Sequence, residues 1–482
     1  MGFLTDRTLA TGVTLQDLIH IVITGDVSQG NPAGSSYKAT IQQVSDVILS
    51  GLTGNTQLYE VGIGIDSTQR VGVGANAGGN YSLVGGGSGN TASGDYSFVG
   101  SGQNNTSVSP CSVIIGGYGN YNRGNSSTIS GGYLNNILST SNFSFIGGGY
   151  CNTSSANYSN VGGGLANTTT GGSSTVGGGR ENTSSNGYST ISGGLGNISS
   201  SQYSTVSGGR LNTSSGYNSI VSGGFLNTSS GQYSTVSGGA NNTSSGYYSV
   251  IGGGYQNTSS ANYSSTISGG RFNTASCDYS TISGGYNNLT QSQASTIGGG
   301  RFSTTSGDYS TIGGGYYNTS IGNCSSISGG FSNKAIGDYT FIGGGTNNTT
   351  SSFYIYGSAT IGGGTANAAL GDFETIGGGY GNTTTSGYGA TISGGRGNTV
   401  SGNYSVISGG DSNKVTNTCS VIGGGYNNIA NSDRSVIGGG VSNTTIGNYS
   451  FLGGGVGNTT SGYSSTVSGG LCNTSKADYS TV

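Results

Sequence analysis

From residue 85 to residue 482 polar and apolar positions alternate on one fixed beat. A unit with the core form G-G-G-x-x-N-T-S-S-G-x-Y-S-T-I recurs 26 times. Twenty-two units have 15 residues; those starting at Ser130, Gly252, Gly377 and Gly343 have 17, 16, 16 and 19. The fifteenth position is Ile or Val in every unit except the one with Leu452; Val99, Ile191, Val236, Ile312, Ile407 and Val467 exemplify the column. The sixth is Asn in 25 units, among them Asn152, Asn182, Asn212, Asn242, Asn318 and Asn443, with Ser303 the exception. The twelfth is Tyr or Phe in most units, for example Tyr96, Tyr203, Tyr309 and Phe373.

Such a unit is too short for a helical hairpin, and Gly at this density opposes helix. Y-S-T-I/V suits a short strand, because β-branched and aromatic residues fit a pleated surface. Gly-Gly then supplies a bend at positive φ, N-T-S-S a second strand, and Ser-Gly closes the coil. The pattern predicts an all-β fold: a parallel β-solenoid of 26 coils, about 4.8 Å apart and roughly 125 Å long.

The recurring Asn predicts an amide ladder along the rod, since Asn tolerates left-handed backbone and bonds neighbouring main-chain groups. Many of these Asn begin N-T-S or N-T-T triplets, but an inward-pointing ladder residue cannot carry a sugar. A second set sits at the eleventh position: Asn157, Asn262, Asn323, Asn403 and Asn448, each followed by Tyr-Ser or Cys-Ser. These are the candidate glycosylation sites, provided the chain meets the necessary enzymes.

One aliphatic and one aromatic per coil is a thin apolar supply for a free-standing solenoid. Two routes follow. Flat coils can bond Ser and Thr hydroxyls inside, or several chains can share the Ile/Val and Tyr columns. The second is the expectation here, as a lateral homotrimer.

Composition narrows the chemistry. With 102 Gly, one His and 6% charged residues, the chain has little material for acid–base, triad or metal catalysis. No phosphate-loop motif and no calcium-binding solenoid repeat occurs. The expectation is a non-enzyme without cofactor or metal. Residues 85–482 carry ten basic and ten acidic residues, so no basic stripe points to nucleic acid. No apolar run approaches the length of a membrane helix, and the N-terminus lacks the layout of a signal peptide. Arg180, Arg210, Arg271, Arg301 and Arg396 share the fourth position and read as solvated edge residues that discourage pairing. Asp95, Asp278, Asp308 and Asp338 read as single bend residues. No two of the six Cys fall in neighbouring coils, too far apart for a disulfide within one straight rod. Cys111, Cys324 and Cys419, at the aromatic position, read as small apolar substitutes.

Residues 1–84 differ in composition and divide into an anchoring or assembly segment at 1–60 and a transition into the rod at 61–84. The first is expected to be small and mixed α/β. It has an apolar strand over Asp17–Thr24 containing a core His20, a turn at Asn31–Gly34, and a helix over Lys38–Ser50 capped by Gly51. The last unit ends on its aliphatic Val482 as regularly as any other. That predicts a longer native chain or head-to-tail stacking on another subunit.

The unit S-T-I-G-G-G-x-x-N-T-S-S-G-x-Y resembles the head repeats of trimeric autotransporter adhesins, where S-V-A-I-G-x-x-A-x-A-x-G marks each coil. The form G-G-x-x-N-T-S-S-G-x-Y-S-T-V-S-G-G resembles long arrays in fibre proteins of marine phages and large DNA viruses of protists. The stretch from Leu18 to Lys38 is similar to leader segments of such proteins. The first resemblance implies a β-roll packed as a trimer. The second implies a virion component, anchored through residues 1–84 and placed on a virion surface or in an extracellular fibre. Three function classes follow. They are a structural fibre or filament, an adhesin binding a host-surface glycan or protein, and an ice-binding solenoid with regular Thr rows. The first is the leading expectation.

Overall fold

The computed structural model describes residues 19–22, 36–39, 59–64, 66–70, 74–352, 357–385 and 387–482. Each coil holds two extended dipeptides, and each dipeptide pairs in parallel with its counterpart one unit on. One ladder joins the fourteenth and fifteenth positions, as in Thr190–Ile191 with Thr205–Val206 and Thr296–Ile297 with Thr311–Ile312. The other joins the seventh and eighth, as in Thr213–Ser214 with Thr228–Ser229. A third parallel pairing runs through single residues at the fourth position, for example Arg180 with Leu195 and Leu195 with Arg210. The molecule is thus an all-β parallel β-solenoid of about 27 turns.

The extra turn lies upstream of residue 85. Strands β1 (Ile19–Val22) and β2 (Ser36–Ala39) form an antiparallel pair, with His20 in β1 opposite Lys38. Strand β3 (Tyr59–Val61) runs antiparallel to β4 (Thr68–Arg70). Strand β4 then pairs in parallel with Leu83–Val84, so the rod is entered within the segment assigned from sequence as a transition. The helix expected over Lys38–Ser50 lies outside the described residues from 40 onward; Lys38 and Ala39 belong to β2.

The strands are shorter than the pattern suggests. In the Y-S-T-I/V stretch only the last two residues pair. The aromatic position is itself a turn residue: Tyr203 has φ 59° and Tyr309 φ 58°. The Ser that follows bonds back to the carbonyl three residues earlier, as Ser204 Oγ does to Ser201 at 2.6 Å. The positive-φ Gly is the third of the triplet; Gly209, Gly224 and Gly239 have φ of 82°, 92° and 83°.

The interior settles how so few apolar residues hold a coil. The fifteenth-position aliphatics are fully buried inside the single chain: Val99, Ile191, Val236, Ile312, Ile407 and Val467 are all 0% exposed. They face mostly Ser, Thr, Ala or Val at the eighth position, with Asn122 and Ile137 the exceptions, and mostly Ser at the thirteenth. These hydroxyls bond each other across the coil, as in Ser199–Ser204 and Ser214–Ser219, both 2.7 Å between oxygens. A seam of Ile and Val shared along the sides of neighbouring chains is therefore excluded, because of that column only the terminal Val482 reaches the surface. The expected trimer loses the contact proposed for it. Coils with hydroxyls bonded inside are what most of the chain adopts; the hydroxyls of Ser97, Thr169, Ser174, Thr290, Ser310, Thr350 and Ser465 are buried there without a hydrogen-bond partner.

Candidate interaction edges of the rod

Two turns connect the two sheets, one on each side of the interior, and they obey different rules. The turn over the first six positions always has the same length, and its Asn explains why. Asn212 donates its amide nitrogen to Gly208 O at 2.9 Å within its coil and to Gly224 O of the next at 2.9 Å. Its side-chain oxygen accepts the Asn227 N–H at 3.0 Å. The same three bonds recur at Asn152, Asn182, Asn242, Asn318 and Asn443. All six are 0% exposed. A side chain that must reach four residues back and one coil forward admits no insertion between.

The ladder has one defect. Ser303 receives the preceding side-chain oxygen, its N–H lying 3.0 Å from Asn288 Oδ1. Its hydroxyl is buried without a hydrogen-bond partner, and it offers no acceptor to Asn318. Replacing Ser303 by Asn should restore three bonds and strengthen the neighbouring coils by about 1 kcal/mol. Slower amide exchange at Asn318, whose N–H would regain an acceptor, is the readout; unchanged or faster exchange would refute the ladder's energetic role there.

The other turn, from the ninth to the thirteenth position, varies. The four long units carry their extra residues there: the strands flanking it are Asn136–Ile137 and Phe145–Ile146, Thr258–Ser259 and Thr266–Ile267, Thr349–Thr350 and Thr360–Ile361, and Thr383–Thr384 and Thr391–Ile392. The candidate glycosylation residues Asn157, Asn262, Asn323, Asn403 and Asn448 all lie on this edge and are exposed. Asn157, Asn323 and Asn448 each accept the N–H of Asn142, Asp308 and Asp433 in the coil before, at 2.9, 2.9 and 3.0 Å. That bond uses the side-chain oxygen and not the nitrogen a sugar would take.

The aromatic column lies on the surface of this same edge and is not part of any core. Tyr96, Tyr158 and Tyr309 are 61%, 62% and 61% exposed. Rings stack along the axis, Tyr81 on Tyr96 and Tyr233 on Tyr248 with centres 5.0 and 4.9 Å apart. Stacking covers ring faces and leaves edges and hydroxyls to solvent. A hydrogen bond with Tyr248, together with desolvation, pushes the Tyr247 phenol up to about 12. Cys111, Cys324 and Cys419 share this column and are exposed free thiols, which corrects their reading as small apolar substitutes.

The fixed edge carries a second aromatic row with arginines set into it. Tyr255, Phe272, Tyr286, Phe302 and Tyr316 succeed one another edge to face at 5.3–5.8 Å. The Arg271 guanidinium lies 5.0 Å from the Tyr255 ring centre and 4.7 Å from Phe272. Arg301 lies 5.1 Å from Tyr286 and 5.8 Å from both Phe302 and Tyr316. Arg180 pairs with Glu181 and Arg396 with Asp411.

Two buried carboxylates were missed by the sequence pattern, Asp372 and Glu374, both 0% exposed. Glu374 accepts the Gly371 N–H at 2.7 Å and the Thr384 hydroxyl at 2.6 Å. For Glu374 the signal was available: its position is Ser, Thr or Ala in every other unit. Among the described residues no three of His, Cys, Asp and Glu cluster to hold a metal ion. The Thr columns at the seventh and fourteenth positions stand on different sheets, so they do not form the paired row that an ice lattice would meet. No family model matches the chain, and no curated protein matches it in sequence.

Proposed function

We propose that the chain is a structural rod, the shaft of a fibre or filament on a virion surface or in an extracellular fibre, and not an enzyme. The observation that supports this most directly is the uniformity of the stack. Asn side chains couple each coil to the next, with the single defect at Ser303, so what the repeat builds is length and stiffness. Residues 1–84 would supply the anchor, and the resemblance to viral fibre arrays suggests the particle. An adhesin is the second reading, favoured by one observation: all four insertions and the exposed aromatic column fall on one edge, and repeat proteins commonly bind through the face that accepts insertions.

Electron microscopy of the purified protein tests the first reading. It should show unbranched rods, each chain contributing roughly 130 Å at about 4.8 Å per turn. Round particles or short compact bodies would overturn it. The adhesin reading requires in addition that glycan-array or cell-binding signal be lost when the insertion at 353–356 is deleted.

A further inference from the structure

Two coils carry the same charges on opposite edges. Coil 268–282 has Arg271 in its fixed turn and Asp278 in its variable turn; coil 298–312 has Arg301 and Asp308 at the same places. The arginines are therefore two coils apart, roughly 10 Å, and the aspartates have the same spacing. None of the four takes part in an ion pair among the described residues. Both arginines are exposed, and Asp278 is half-buried and Asp308 exposed. Each carboxylate uses one oxygen within the chain, Asp278 accepting the Tyr263 N–H at 2.8 Å and Asp308 the Gln293 N–H at 2.9 Å.

The two edges also differ in shape. Between Asp278 and Asp308 lies a polar groove of about 390 Å³, lined also by Asn262, Cys277 and Gln293. Its negative field is felt inside it: burial first, then Asp278 and Asp308, push the Cys277 thiol up. Opposite, Arg271 and Arg301 lie exposed on either side of Tyr286, held over rings that fix their direction. One edge is a pair of exposed cations; the other is an anionic recess of matching period.

From this match we infer that a second copy of the chain docks side by side, with the same polarity and in register, setting Arg271 and Arg301 of one rod against Asp278 and Asp308 of its neighbour. A two-fold axis exchanging the rods is excluded, because it would bring like edge to like edge and oppose arginine to arginine, whereas simple translation brings unlike edges together and sets each coil level with its own copy in the neighbour. Because the two edges lie on opposite sides of the coil, the contact does not close on itself and propagates as an open row. It replaces the excluded Ile/Val seam, and it holds whether the rod is a shaft or an adhesin.

Charge reversal on the full chain tests it. At low ionic strength wild type should scatter light as a multiple of 47.5 kDa and dissociate as salt is raised. R271E/R301E should associate at least about tenfold more weakly, as should D278R/D308R, because each opposes like charges. The quadruple variant reverses both edges and should recover self-association. A gold label at the C-terminus should cluster at one end of the lateral assemblies. Unchanged circular dichroism identifies variants that keep the fold. A wild type of single-chain mass at tens of micromolar overturns the proposal. So does association indifferent to reversal, failure of the quadruple variant to recover, or labels at both ends.

Discussion

Replacing Asn227 by Ala should destabilise the coils around it by about 3–5 kcal/mol. The residue is 0% exposed, and its amide donates to Gly223 O at 2.8 Å and Gly239 O at 2.9 Å. Its oxygen accepts the Asn242 N–H at 3.0 Å. Alanine leaves the Asn242 N–H buried without its acceptor and takes a donor from the part-buried Gly223 and Gly239 carbonyls, and a buried group left unmade costs about 1–3 kcal/mol. Gly239 O keeps the Phe225 N–H as a second donor, which places the total below the simple sum. Hydrogen exchange should show local opening confined to the flanking coils, because a solenoid couples nearest neighbours. Protection unchanged within twofold over residues 222–244 would remove the ladder from the account of stability.

The second large effect separates two adjacent glycines. Gly239 has φ +83°, and a Cβ there would lie 2.1 Å from Gly254 O. That oxygen already accepts the Ala240 N–H at 2.8 Å and the Asn242 amide at 3.0 Å. Gly239→Ala must push two coils apart as well as hold a side chain in left-handed backbone, a strain of about 1–3 kcal/mol by itself. The expected loss is about 4 kcal/mol or more. Gly238→Ala should change stability by less than about 0.5 kcal/mol, since a Cβ there meets nothing within 4 Å. Limited proteolysis of the two variants is the comparison. Equal resistance would mean that the triplet is a compositional habit and not a steric requirement.

The solenoid was legible because one residue type recurs at one position through 26 units, so period and strand content reinforce each other. Which side of the backbone each position faces was less legible. Strand alternation tells inside from outside only while the chain stays extended. Tyr203 at φ 59° breaks that alternation and turns its ring outward, so a column that reads as shared core is surface. The polar interior was hidden for a related reason. Ser199 and Ser204 satisfy each other only once the coil closes, and no spacing rule announces a hydroxyl pair five residues apart. Of the edges, the Arg column and the bend carboxylates were visible singly; their shared coils and the groove between Asp278 and Asp308 required the fold.

The fixed turn also makes the molecule a graduated ruler. Each Asn reads only the coil before and the coil after, so a whole unit can be lost or duplicated without any remaining side chain meeting an unfamiliar partner. Gain or loss of a single residue between the aliphatic and the Asn would break that reading at once. The length of such a rod is therefore tolerant of change in whole coils and intolerant of change by single residues on that side, and every remaining coil would keep its place in the count.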